Sequence, residues 1–157
     1  MLVAEIKDHC AEARNLFTLG KPEAGLAVLN QVIASVDDPL FQNHPLIGVV
    51  FAMKAELLQS LKGLTSNQDE QTGCIANALF VAKEHLFDDF ENVAPVLLNI
   101  VRYHVKEKQH ERARSAADLI IEGCKHDYGT DHPRFFQLER WIEETGCHQP
   151  SDPEANN

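Results

Sequence analysis

The sequence predicts an all-α domain of three antiparallel helix pairs followed by one further helix at the C-terminal end. Three observations carry that prediction. Apolar residues recur at steps of three and four along most of the chain, hairpin dipeptides and polar/apolar alternation are missing, and the turns that interrupt the helical period return at a regular interval.

The first predicted helix spans Val3 to Thr18, where Ile6, Cys10, Ala13, Leu16 and Phe17 form one apolar stripe. Leu19-Gly20-Lys21 ends it, and Pro22 opens the second, because a proline in the first helical turn sacrifices no intrahelical bond. That helix carries Leu26, Leu29, Val32, Ile33 and Val36 and stops before Pro39. Pro45 opens a third helix reaching Leu61, with Val49, Ala52, Met53, Leu57 and Leu61 among its apolar positions. Gly63 closes it, and Ser66-Asn67-Gln68-Asp69 reads as a capping box for a fourth helix that continues from Ile75 to Leu86. Asp88-Asp89 supplies the next cap, and Val93, Val96, Leu97, Ile100, Val101, His104 and Val105 give the fifth helix a wide apolar face. The sixth begins near Gln109-His110 and carries Ala113, Ala116, Ala117, Ile120 and Ile121, with 123–129 expected as a loose end. A seventh runs from Pro133 through Phe135, Phe136, Leu138, Trp141 and Ile142 to Gly146. Residues 1–147 form the predicted domain, and 148–157, with two prolines and no large apolar side chain, the predicted disordered tail.

Bulk composition narrows the function. With 157 residues and 44% hydrophobic content the chain suffices for one domain with its own core. A formal net charge of −10 argues against charge-driven binding to nucleic acid or to an anionic membrane, and favours a basic or neutral partner. No apolar run has the length of a membrane span, and the N-terminal residues carry no signal-peptide pattern, so the expected location is the cytoplasm. Cys10, Cys74, Cys124 and Cys147 include no Cys-x-x-Cys pair and read as reduced, mostly buried thiols. Cys124-Lys125-His126 and Cys147-His148 lack the spacing of a zinc site, so neither a metal nor another cofactor is expected.

Turns fall at Gly20, Gly63 and Lys108, spaced by 43 and 45 residues. The connectors Phe41-Gln42-Asn43-His44-Pro45, Phe87-Asp88-Asp89-Phe90-Glu91 and Tyr128-Gly129-Thr130-Asp131-His132-Pro133 each begin with an aromatic residue. Together with Ala13, Gly20 and Gly25 in the first pair and Ala113 in the third, where Val101 stands at a position that takes a small residue in the family, this pattern resembles tetratricopeptide repeats. The long period and the Gly-x-Asp-His-Pro connector are most similar to the long-repeat subgroup found in kinesin light chains. The resemblance covers residues 3–146 and implies a right-handed superhelical stack of about three repeats plus a capping helix. It implies a scaffold or adaptor whose first helices line a concave groove that binds a peptide or helix of another protein.

Aligning those first helices by their turns places Arg14, Glu56, Arg102 and Arg140 in register, with Lys7, Gln59 and Lys106 beside them as candidate groove residues. The recurring arginines would suit carboxylates of a partner; the alternative is that they are solvated and paired with neighbours such as Glu12 or Glu139. Phe17, Phe136 and Trp141 are the aromatic candidates, with core packing the simpler expectation for each.

No nucleophile elbow, phosphate-binding glycine loop or His-Glu-x-x-His motif is present, so catalysis is not expected. Gln59-Ser60-Leu61-Lys62-Gly63 resembles the signature of histidine phosphotransfer bundles, but Gln59 has no imidazole to phosphorylate. A second reading is a small acidic dedicated chaperone of a bacterial secretion or assembly system, and a homo-oligomer is compatible with the same features.

Overall fold

The computed structural model describes residues 2–36, 42–61 and 68–148. Every regular element among them is helical: α1 Val3–Thr18, α2 Pro22–Ser35, α3 Pro45–Ser60, α4 Gln68–Glu84, α5 Phe90–Lys106, α6 His110–Tyr128 and α7 Pro133–Glu144. The predicted turn at Gly63, the start of the Ser66 capping box and the tail beyond His148 lie outside the described residues.

The chain forms two compact units that divide between Glu84 and His85. In the first, α1 packs against α2 and α3, α2 also packs against α3, and α4 packs on α3. Its core holds Ile6, Ala13, Leu29, Val32, Leu46, Ile47, Val50, Met53 and Leu57. Where α2 passes α1, a side chain at Gly25 would be tightly placed. A Cβ on Gly25 would stand 3.1 Å from the Ala13 carbonyl oxygen and 3.4 Å from Leu57 Cδ1. Two of the small residues singled out in the first pair, Ala13 and Gly25, therefore meet across the α1–α2 contact.

In the second unit α6 packs against both α5 and α7. Phe90, Val93, Val96, Leu97, Ile100, Ile120 and Leu138 are fully buried there. Here one expectation is corrected: residues 123–128 are helical, and α6 runs on to Tyr128. Gly123 does not end the helix; it admits Phe90, whose Cδ1 would lie 2.5 Å from a Cβ at that position. Left-handed backbone occurs instead at Gly129, φ +79°. At the other boundaries α3 and α4 end at Ser60 and Glu84, slightly short of the expected Leu61 and Leu86. Asp89 does occupy the N-cap position of α5, yet its carboxylate accepts from the Asn92 side-chain amide at 2.9 Å and not from a helix N–H.

Helix ends recur across the chain. Gly20 after α1 and Lys108 after α5 both have positive φ, +76° and +59°. The bonds around them match: Gly20 N–H donates to Phe17 O at 3.0 Å and Lys21 N–H to Leu16 O at 2.8 Å, while Lys108 N–H donates to Val105 O at 3.0 Å and Gln109 N–H to His104 O at 2.9 Å. Gly146, φ +80°, follows α7. Helix starts repeat as well. His44 and His132 each precede a proline, and each accepts at Nδ1 from the backbone N–H two residues on, Leu46 at 3.1 Å and Arg134 at 3.0 Å. Each imidazole therefore keeps its proton on Nε2, since an accepting nitrogen must be bare.

Candidate functional site

The residues picked out for a groove fall on both units, and each group is set by its own helix. In the first unit, Lys7 and Arg14 are seven residues apart on α1 and so share one face, Lys7 exposed and Arg14 half-buried. Glu56 and Gln59 lie one turn apart on α3. Arg14 and Glu56, in register as sequence positions, meet in space: Arg14 Nη1 lies 3.5 Å from Glu56 Oε2. That pair places opposite charges together, so the α1 arginine is matched by a carboxylate of its own chain. The expected neighbour Glu12 pairs with His9 instead, at 3.6 Å.

Glu56 is the unusual member. Only 4% of its side chain is exposed, and its Oε1 is buried without a hydrogen-bond partner among the described residues. It borders a small cleft with Ala13, Arg14, Phe17, Met53 and Leu57, whose volume of about 10 Å³ is the room of a single water. Burying a carboxylate with unfilled acceptor capacity costs stability, which a sequence selected for packing alone has no reason to keep.

Three of the thiols, Cys10, Cys74 and Cys124, are held protonated by burial. Burial pushes the Cys10 thiol up to about 11 against the pull of the Arg14 charge, and burial likewise raises Cys74 and Cys124. A thiol held above its ordinary range stays protonated and is a poor nucleophile and a poor metal ligand. All four cysteines are free.

In the second unit, Arg102 is half-buried on α5 and donates to Asn99, one turn earlier, while Lys106 and Arg140 are exposed. A denser polar cluster, absent from the sequence expectation, ties α5, α6 and α7 together. Arg134 donates from Nε and Nη2 to the two oxygens of Glu91 at 3.1 and 2.9 Å, and the Tyr128 hydroxyl donates to Glu91 Oε1 at 2.5 Å. Partial burial works to raise the Glu91 carboxyl, but the bonds from Tyr128 and Arg134 outweigh it and hold the group below its ordinary value. The guanidinium of Arg134 also lies 5.2 Å from the Trp141 ring. Two of the aromatic candidates depart from the expected core packing, Phe136 at 56% and Trp141 at 36% exposure, while Phe17 packs against the first unit's core. No family model, no curated protein and no solved structure matches this chain.

A larger cleft, of about 380 Å³, opens in the first unit between α2, α3 and α4. Ile33, Val36, Ile47, Phe51, Phe80 and Val81 supply its apolar walls and Asn77 a polar edge. None of the predicted groove residues lines it. At about 100° per residue, Ile47 and Phe51 point from α3 roughly 150° away from Glu56, so the two clefts use nearly opposite sides of that helix. Sequence reading missed the second cleft because α3 is apolar on both faces, with Leu46, Ile47, Val50 and Leu58 buried beside the expected positions. The available signal was Phe80, a large aromatic exposed on a helix that buries Ile75, Ala78, Val81 and Ala82.

Proposed function

We infer that this chain is a helical-repeat interaction module of the tetratricopeptide-like kind, which binds a peptide or helix of another protein on its α1 and α3 side and catalyses no reaction itself. The recurrence of helix ends carries the reading. Gly20 and Lys108 close the first helices of two predicted repeats with a residue of positive φ and the same pair of backbone bonds, while His44-Pro45 opens the remaining repeat and His132-Pro133 the C-terminal capping helix with the same cap. Within the first unit, among the described residues, α4 packs on α3 and makes no comparable contact with α1 or α2, which supports a stacked hairpin over a closed four-helix bundle. In that setting Lys7, Arg14, Glu56 and Gln59 of the first unit lie on helices that line the groove of such repeats; Arg102, Lys106 and Arg140 form a separate set on helices of the second unit. An acidic chain of this charge favours a basic or neutral partner.

Photo-crosslinking in cells tests this. A benzoylphenylalanine placed at the exposed position Lys7 on α1 is expected to capture one partner protein, whereas the probe at Glu122 on α6 is not. A folded chain that captures nothing at Lys7, or captures equally from Glu122, rejects the reading.

A further inference from the structure

We propose that the Glu56 carboxylate is a receiving site for an arginine side chain of the partner protein, and that Arg14 occupies its mouth in the free chain. This rests on the reading of the chain as a partner-binding module and names what that partner must present. Four observations converge on it. The carboxylate is almost wholly buried, and Oε1 has no donor among the described residues. Its other oxygen has Arg14 at 3.5 Å, well beyond the roughly 2.7–2.9 Å of a formed guanidinium–carboxylate bond. The cover is movable, because Arg14 is 40% exposed and reaches inward on a flexible stem. The walls beneath it, Phe17, Met53 and Leu57, suit the next occupant: a thioether that repacks and an aromatic ring beside an alkyl stem and a planar cation.

An arginine fits better than a lysine because two parallel N–H groups answer both carboxylate oxygens at once, including the one that lacks a donor. Arg14 meets only one of the two oxygens, Oε2, and at 3.5 Å. It serves as a placeholder, keeping the charge of Glu56 compensated until a better-placed guanidinium arrives. The surplus of 24 acidic over 14 basic side chains draws such a partner toward the surface.

The chain has two methionines, Met1 and Met53, so ¹³C-methyl-methionine labelling of the full protein yields two methyl signals, one of which lines this cleft. The probe is the peptide acetyl-Gly-Arg-Gly-amide, compared with the same peptide carrying neutral citrulline. The Met53 signal is expected to move saturably with the arginine peptide and not with citrulline, to do so at about fivefold lower concentration in Arg14→Ala, where the competing guanidinium is gone, and to stay still in Glu56→Gln. Equal shifts with both peptides, or no Met53 shift in Arg14→Ala with the arginine peptide, overturn the proposal. Should Glu56→Gln fail to fold, the arginine-against-citrulline comparison in Arg14→Ala decides alone. Crosslinking to a partner together with a silent Met53 would reject the arginine site and leave the interaction module standing.

Discussion

At the scale of single residues, the informative positions are polar side chains folded into apolar surroundings. His104 on α5 is 6% exposed and its ring lies edge-on to Tyr103. Its Nδ1 is 2.8 Å from Gln109 Oε1, an oxygen that only accepts, so Nδ1 carries the proton and donates. Burial holds the imidazole below its usual value of 6.5; the Gln109 bond and the Glu107 charge pull the other way, and the Arg112 charge adds to the depression. A depressed folded-state value means that the unfolded chain takes up the proton first. The stability His104 contributes is therefore complete above pH 6.5 and is lost as the pH falls through and below that value. Urea denaturation at pH 7.5, 6.5 and 5.5 is expected to show the midpoint falling across this range, and His104→Gln should flatten that part of the slope. A variant whose midpoint falls as steeply as that of the wild type would show that His104 is not the group responsible.

At the scale of elements, turns decide where helices stop, and here sequence and structure agree for reasons that can be named. Gly20 and Pro22 are unambiguous signals, one free to take positive φ and the other fixed for a first helical turn, and α1 and α2 stop and start as they dictate. Gly123 misled because glycine has two uses. Besides ending helices it lets another side chain in, and nothing in the local sequence announces that Phe90 will arrive from 33 residues away. The buried carboxylate at Glu56 was legible only as an aligned position; that it faces Arg14 depends on how α1 and α3 rotate against each other, a property of packing. Lys108 turns the same comparison into a prediction. It holds the left-handed conformation that glycine holds at Gly20, at a steric cost of about 1 kcal/mol, partly offset because lysine loses less backbone freedom on folding than glycine. Lys108→Gly should therefore raise stability by a few tenths up to about 1 kcal/mol in urea denaturation. A loss of stability would mean that the lysine side chain makes a contribution that outweighs the backbone strain.

At the scale of the whole chain, the helices of each compact unit pack mainly on their sequence neighbours within that unit. In such an arrangement a perturbation is felt where it is made, because few contacts carry it further. Two glycine-to-alanine substitutions probe this with opposite signs. At Gly123 on α6 a Cβ would lie 2.5 Å from Phe90 Cδ1 and 2.8 Å from Leu86 Cδ1, both side chains buried in the core. Overpacking of this kind costs about 1–3 kcal/mol, more than the ~1 kcal/mol of helix propensity that alanine restores, so Gly123→Ala should destabilise. At Gly73 on α4 nothing stands within 4 Å of the added atom, and Gly73→Ala should stabilise by about 0.5–1 kcal/mol. Hydrogen exchange locates the response: amides of α5, α6 and α7 should lose protection in Gly123→Ala while those of α1, α2 and α3 keep theirs, and the gain in Gly73→Ala should centre on α3 and α4. If Gly123→Ala instead lowered protection evenly from α1 to α7, the chain would unfold as one cooperative body, and the nearest-neighbour stacking on which the interaction-module reading depends would fall with it.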